Sequence, residues 1–160
     1  MATKILEGDA FKLLDNAQLY ADIHSTCTKV RVGSAIQTDD GTVIFGCNHG
    51  VYNCKLNGCR RIELYGENSK EHRLPSDCDA IHSEVDAICQ AAQSGISLKN
   101  ASIFVTRYPC EACARAIAAS GISTVVYGRR ETMSSYSQQI LESAGVEAYK
   151  IRWEREDNND

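Results

Sequence analysis

The sequence predicts a three-layer α/β domain, a mixed five-stranded sheet with helices on both faces. Three observations carry that reading. From about residue 82 onward, helix-period and strand-like segments alternate with short connections, the order that builds parallel strands joined by crossover helices. Ahead of them, two alternating apolar segments flank Asp40–Gly41, a tight hairpin turn in composition. A chain of 160 residues with 43% hydrophobic side chains is also long enough to bury one core without staples.

Element by element, DAFKLLDNAQLYADIH (9–24) places Phe11, Leu14, Ala17 and Ile23 on a helix expected to pack on the sheet. VRVGSAIQT (30–38) alternates as a strand, and TVIFG (42–46) returns after the turn. Residues 48–79 form a polar, irregular insertion holding Pro75 and three cysteines. A helix follows over about 82–93, then strand ASIFVT (101–106) and a helix over about 111–119. Strand STVVYG (123–128), a helix over about 134–144 and strand VEAYKI (146–151) complete the order. Val85, Ile88, Cys89 and Ala92 make an apolar stripe expected to face the core, with Cys89 as filler. The tail EREDNND (154–160) is expected to be disordered. No repeat or linker interrupts the chain, so 1–160 reads as one domain.

Composition narrows the function. A net charge of −4 and a pI near 5.6 argue against nucleic-acid binding, which needs excess Lys and Arg to displace counterions. No run of eighteen apolar residues and no export signal are present, so no membrane span is expected and a cytoplasmic location is. Eight cysteines in a reducing compartment point to metal ligation or burial rather than disulfides.

HSEVDAICQA (82–91) opens an amphipathic helix with an imidazole and a carboxylate two residues apart. PCEAC (109–113) sets two thiols three residues apart at another helix start, where exposed N–H groups stabilise thiolates. Alone, this C-x-x-C serves equally as a redox pair. Together with His82 it becomes a three-ligand zinc site: Cys110 and Cys113 as thiolates and His82 as neutral imidazole cancel the dication's charge. Three protein ligands leave the fourth tetrahedral position open, the mark of a catalytic zinc, which lowers the pKa of water there to about 7. Glu84, beside the metal but not on it, is the residue type that shuttles the proton. The competing reading is a closed zinc site or a redox pair, with Glu84 incidental.

H-x-E with P-C-x-x-C is the signature of zinc-dependent nucleobase deaminases. The wider chain resembles the deoxycytidylate (dCMP) deaminases at STCTKVRVGSAI (25–36), FGCNHG (45–50), IHSEVDAI (81–88), SIFVTRYPCEACARAI (102–117) and SGISTVVY (120–127). The resemblance implies a cytidine-deaminase-like fold and hydrolysis of dCMP to dUMP and ammonia, with zinc on His82, Cys110 and Cys113 and Glu84 as general acid and base. It further implies that Asn48 holds the sugar hydroxyl and that the Ser83 backbone meets the pyrimidine carbonyl. Tyr108 and the Pro109 carbonyl then line the base and its amino group. Two residues depart from that family: Cys47 stands where Tyr is usual and His49 where Gly is usual. GCN here is also similar to the free-nucleoside deaminases, although those carry Cys at the position of His82, so a nucleoside or base such as cytidine or guanine is the alternative substrate. A tRNA deaminase fits the acidic balance less well, and a non-catalytic zinc module is the remaining reading.

The insertion reads Cys54-x4-Cys59-x12-His72-x5-Cys78, with Cys27 ahead of the first strand. The resemblance implies a second, structural zinc there, and Cys27, Cys54 and His72 fall where its ligands are expected. Five candidates compete for four places. For a substrate phosphate the available cations are Arg60, Arg61, Arg107, Lys29 and Arg31. The family also implies a homo-oligomer, dimer or hexamer, for which Ala112, Ala116 and Ala119 offer a small-residue face, and regulation by dCTP and dTTP.

Overall fold

The computed structural model describes residues 7–67, 78–128 and 131–153. Helix α1 (Glu7–His24) precedes a hairpin of β1 (Gly33–Gln37) and β2 (Val43–Cys47). Short helices α2 (Cys54–Asn57) and α3 (Arg60–Tyr65) follow in the insertion. Then α4 (Ser83–Gln93), β3 (Ser102–Val105), α5 (Glu111–Ser120), β4 (Thr124–Gly128), α6 (Ser135–Ser143) and β5 (Glu147–Ile151) alternate. The sheet runs β2-β1-β3-β4-β5, antiparallel through its first three strands and parallel through the last three. The expected mixed five-stranded architecture is the one found.

Side-chain alternation sends the two halves of each strand to different layers. Ala35, Phe104 and Val126 face α1, joining Ala10, Leu13, Leu14, Ala17 and Trp153. Their neighbours Ile36, Ile103, Val105, Val125 and Tyr127 face the other way, onto Ala87, Ala91, Ala114, Ile117 and Leu141 of α4, α5 and α6.

Two glycines let helices lie directly on the sheet. A Cβ at Gly33 would stand 2.0 Å from the Ala17 carbonyl oxygen, and one at Gly46 would stand 2.4 Å from the Ser83 oxygen and the Ala87 nitrogen. Approach that close selects small residues on the helix side, and this overturns the expected α4 stripe. Its buried face is Ser83, Glu84, Asp86, Ala87 and Ala91, whereas Val85 and Ile88 are half-buried and Cys89 and Ala92 are exposed. Cys89 is therefore not core filler. Ile23 is likewise 63% exposed. It lies two residues past buried Ala21, about 200° around the helix, and cannot share that face.

The insertion is less irregular than expected. The Asn53 side chain accepts from the Lys55 N–H and starts α2, and glycines at positive φ, Gly58 and Gly66, end α2 and α3. His72, Pro75 and the 154–160 tail lie outside the described residues. Among the described residues no helix is long and apolar enough to cross a membrane.

Candidate active site

His82 and Cys110 occupy equivalent places, the N-cap residues of α4 and α5, both in extended backbone (φ −77°, ψ 158° and φ −74°, ψ 172°). Neither side chain caps its own helix. Both are turned toward one point instead. α4 and α5 pack side by side, which brings His82 Nδ1 within 3.4 Å of Cys110 Sγ and 3.4 Å of Cys113 Sγ. The three donor atoms all lie within 4.8 Å of one another, the one such group among the described residues. A tetrahedral zinc with ordinary Zn–S and Zn–N bonds needs an N···S edge of about 3.6 Å. The donor set and its spacing fit zinc.

The protons distribute unevenly over this trio. A hydrogen bond from Cys113, with help from His82, pulls the Cys110 thiol down to about 3. Cys113, buried and already committed to Cys110, is pushed up. His82 rises chiefly through its hydrogen bond to Cys110. The trio thus favours thiolate on Cys110, and a cation held by these three donors would displace the protons that remain.

Glu84 is 3% exposed, and burial pushes its carboxyl up. The Ser83 hydroxyl donates to its Oε2 at 3.1 Å and meets the Ser34 hydroxyl at 2.7 Å. The carboxylate lies beside the Cys113 thiol yet outside the three-donor group. A dry carboxyl with a raised pKa, next to a three-donor group but outside it, is suited to take and return a proton.

Ser83 is the first residue of α4, so its N–H has no carbonyl partner within the helix, while its side chain is engaged inward. Pro109 is fully buried ahead of Cys110, and Tyr108 packs half-buried against the core with the Arg107 guanidinium 5.5 Å from its ring centre. Asn48 is heavily committed: its Oδ1 accepts from Ser25 Oγ and the Val32 N–H, both at 2.9 Å, and its Nδ2 donates to the Val30 oxygen at 2.8 Å. One amide hydrogen remains for a ligand.

Of the five cations, Arg61 on α3 is the one whose charge opposes the rise of His82, as the weakest of several influences. Arg107 pairs with Glu131 at 3.2 Å, and Lys29 donates to the Glu67 carbonyl. Arg31 and Arg60 are exposed. Of the insertion's candidate ligands, Cys27, Cys54, Cys59 and Cys78 are all half-buried. Burial and the other three thiols push Cys54 up to about 11. The four draw together, but among the described residues no three of them meet within 4.8 Å, and His72 lies outside that set.

One residue escaped the sequence reading altogether. Asp86 is buried on α4, where its Oδ2 accepts from the Cys47 N–H at 2.9 Å and its Oδ1 meets His49 Nε2 at 2.8 Å. The signal was present: Asp86 falls on the face of Ser83 and Ala87, where an unpaired carboxylate is too costly to bury. It is visible only once that face is recognised as the buried one.

The family model of the cytidine and deoxycytidylate deaminase zinc-binding region matches residues 9–129. The chain is 31% identical over 132 residues to ComE operon protein 2 of Bacillus subtilis (strain 168), covering 81% of this chain and 64% of that protein. It is 38% identical over 98 residues to the deoxycytidylate deaminase of Enterobacteria phage T2, covering 59% of this chain and 52% of that one. The matches therefore span less than two thirds of either relative. In fold, the chain is similar to the crystal structure of dCMP deaminase from the cyanophage S-TIM5 in complex with dCMP and dUMP, with a TM-score of 0.66 at 20% identity over 92% of this chain and 99% of the other.

Proposed function

The chain belongs to the cytidine and deoxycytidylate deaminase family, and we propose that it is a zinc-dependent hydrolase converting dCMP to dUMP and ammonia. The observation that carries this is the pairing of a three-donor group, His82, Cys110 and Cys113, with a buried carboxyl that stays out of it. Those three residues would hold zinc, which when bound supplies a Lewis acid that makes water acidic near neutral pH. Hydrolysis adds the oxygen of water to C4 of cytosine and expels the amino group. Glu84 accepts the water's proton, delivers it to N3, and then moves a proton onto the departing nitrogen, so that ammonia leaves as the C4 carbonyl forms. The Ser83 N–H faces the pyrimidine carbonyl, Tyr108 and the Pro109 carbonyl border the ring and its amino group, and the last Asn48 amide hydrogen meets the sugar hydroxyl. Arg61 takes the phosphate, as the candidate cation whose charge reaches His82.

The same reading treats 1–160 as one catalytic domain working in the cytoplasm as a homo-oligomer, with exposed Ala112 and Ala119 and half-buried Ala116 on the contact face and dCTP and dTTP as effectors. The insertion holds a second zinc, with ligands drawn from Cys27, Cys54, Cys59, Cys78 and His72. Cys47 and His49 beside Asn48 favour a second substrate reading, the free nucleoside. Ammonia release from dCMP, cytidine and guanine, measured with zinc content, tests the substrate and the number of zinc sites. Turnover of cytidine but not dCMP moves the assignment to the nucleoside, and zinc-loaded protein that deaminates none of them is a non-catalytic module.

A further inference from the structure

Helix α4, whose N-cap is His82, carries a second buried carboxylate that the proposed chemistry does not use. Asp86 accepts hydrogen bonds from two residues that bracket Asn48: the Cys47 N–H at 2.9 Å and the His49 ring at 2.8 Å. Gln90 Nε2 approaches the same Oδ1 at 3.4 Å. The side-chain bonds of Asn48 itself all run elsewhere, to Ser25, Val30 and Val32 between α1 and β1. The hydrogen bonds from residues 47–49 to the segment 81–86 are therefore of two kinds. One is the Asp86 pair, and the other is a backbone bridge in which the His49 N–H donates to the Ile81 oxygen at 3.2 Å and the Ile81 N–H to the His49 oxygen at 2.9 Å. Ile81 immediately precedes the metal donor His82. Glycine at position 49, usual in the resembling family, has no side chain with which to make the first kind of link.

We infer that Asp86 and His49 are positioning residues that fix Asn48 relative to the His82–Cys110–Cys113 group, so that recognition of the sugar hydroxyl depends on a side-chain pair that touches no substrate. This rests on the proposed deaminase function with Asn48 at the sugar. Asp86 tolerates burial because both of its oxygens are satisfied by donors from the 47–49 segment. Removing the His49 ring leaves the segment held to α4 by one side-chain bond and lets the Asn48 amide drift from the metal group.

The test uses the full-length, zinc-loaded chain with His49→Ala and His49→Gln, and His49 is exposed enough for both to fold, its side chain being 38% accessible. Substrates are dCMP and its 3′-deoxy analogue, which has no sugar hydroxyl for Asn48 to meet. His49→Ala should raise KM for dCMP roughly tenfold, the loss of one charge-assisted hydrogen bond, with KM for the analogue unchanged. His49→Gln, whose amide nitrogen can replace Nε2, should restore most of it. Equal changes for both substrates, or none, would overturn the inference. Hydrogen exchange gives a readout without turnover: the Cys47 and Asn48 amides should exchange faster in His49→Ala while the α4 amides do not. Unchanged exchange there also overturns it. A wild-type protein that deaminates neither substrate sinks the proposed function instead, and exchange alone then decides whether the clamp exists.

Discussion

The chain gathers cysteines in two places, and the difference between them is one of support. Cys110 and Cys113 sit at the start of a ten-residue helix strung between parallel neighbours β3 and β4, with three buried side chains anchoring it. Cys54 and Cys59 sit at the starts of helices of four and six residues, neither of which buries any residue. The first pair faces an imidazole, and there Cys110 is held down at about 3 while Cys113, its hydrogen-bond partner, is pushed up. In the second group thiol crowds on thiol, and Cys54 is pushed up to about 11. A site on rigid elements needs no metal to form it, whereas a metal held on the short helices, as proposed, would order them, its binding free energy then being folding free energy.

The largest effect that sharpens this contrast comes from the supported site. Glu84→Gln should keep the protein's zinc content and the fold while kcat falls by roughly 10²–10⁴, read by ammonia release beside metal analysis. A variant keeping more than a tenth of wild-type rate would reject the proton-shuttle role. Next, Cys110→Ala should abolish turnover and lower the zinc content by one per chain. Cys54→Ala should also remove one zinc but leave partial activity, with the loss mainly in KM if the insertion supplies the phosphate contact. Fully active protein with a single zinc, indifferent to Cys54→Ala, would reduce the second group to ordinary thiols.

A third measurement needs only metal-free protein. Cys110, lowered to about 3, is thiolate throughout the range above that pH, and Cys54, raised to about 11, is protonated below it. Alkylation at pH 6 should therefore label Cys110 well before Cys54, and equal labelling of the folded protein would break the comparison. The smallest effect tests the insertion's own framework. Asn53→Ala removes the α2 cap and should cost about 1 kcal/mol, seen as faster proteolysis within the insertion of zinc-free protein and muted when zinc is restored.

Much of this was legible in the chain. Strand and helix periods placed β1 through β5 and α4 through α6 within a few residues, because alternating burial on two faces of a sheet leaves a direct imprint on sequence. The spacing of His82, Cys110 and Cys113 was equally readable, since helix starts put N-cap side chains where they can converge. The buried face of α4 was not. Rules that send the largest apolar residues inward assume a normal helix-to-sheet distance, and Gly46 shortens it, so that Ala87 and Ala91 go in and Cys89 stays out. Asp86 was missed for the same reason. The partners that make its burial tolerable lie 37 and 39 residues away in the chain, a separation no local pattern reports.

The placement of Trp153 has a spectroscopic consequence. It is the one tryptophan in the sequence, it is 4% exposed, and its Nε1 donates to Asp15 Oδ1 on α1 at 2.9 Å. It packs with Leu14 and Phe104 in the layer of the sheet opposite α4 and α5. Tryptophan fluorescence is therefore a single-site reporter of whether the carboxyl-terminal strand end stays latched to α1. It should register global unfolding sharply and remain nearly silent when zinc or nucleotide binds on the far side, separating loss of fold from loss of site in every variant named above.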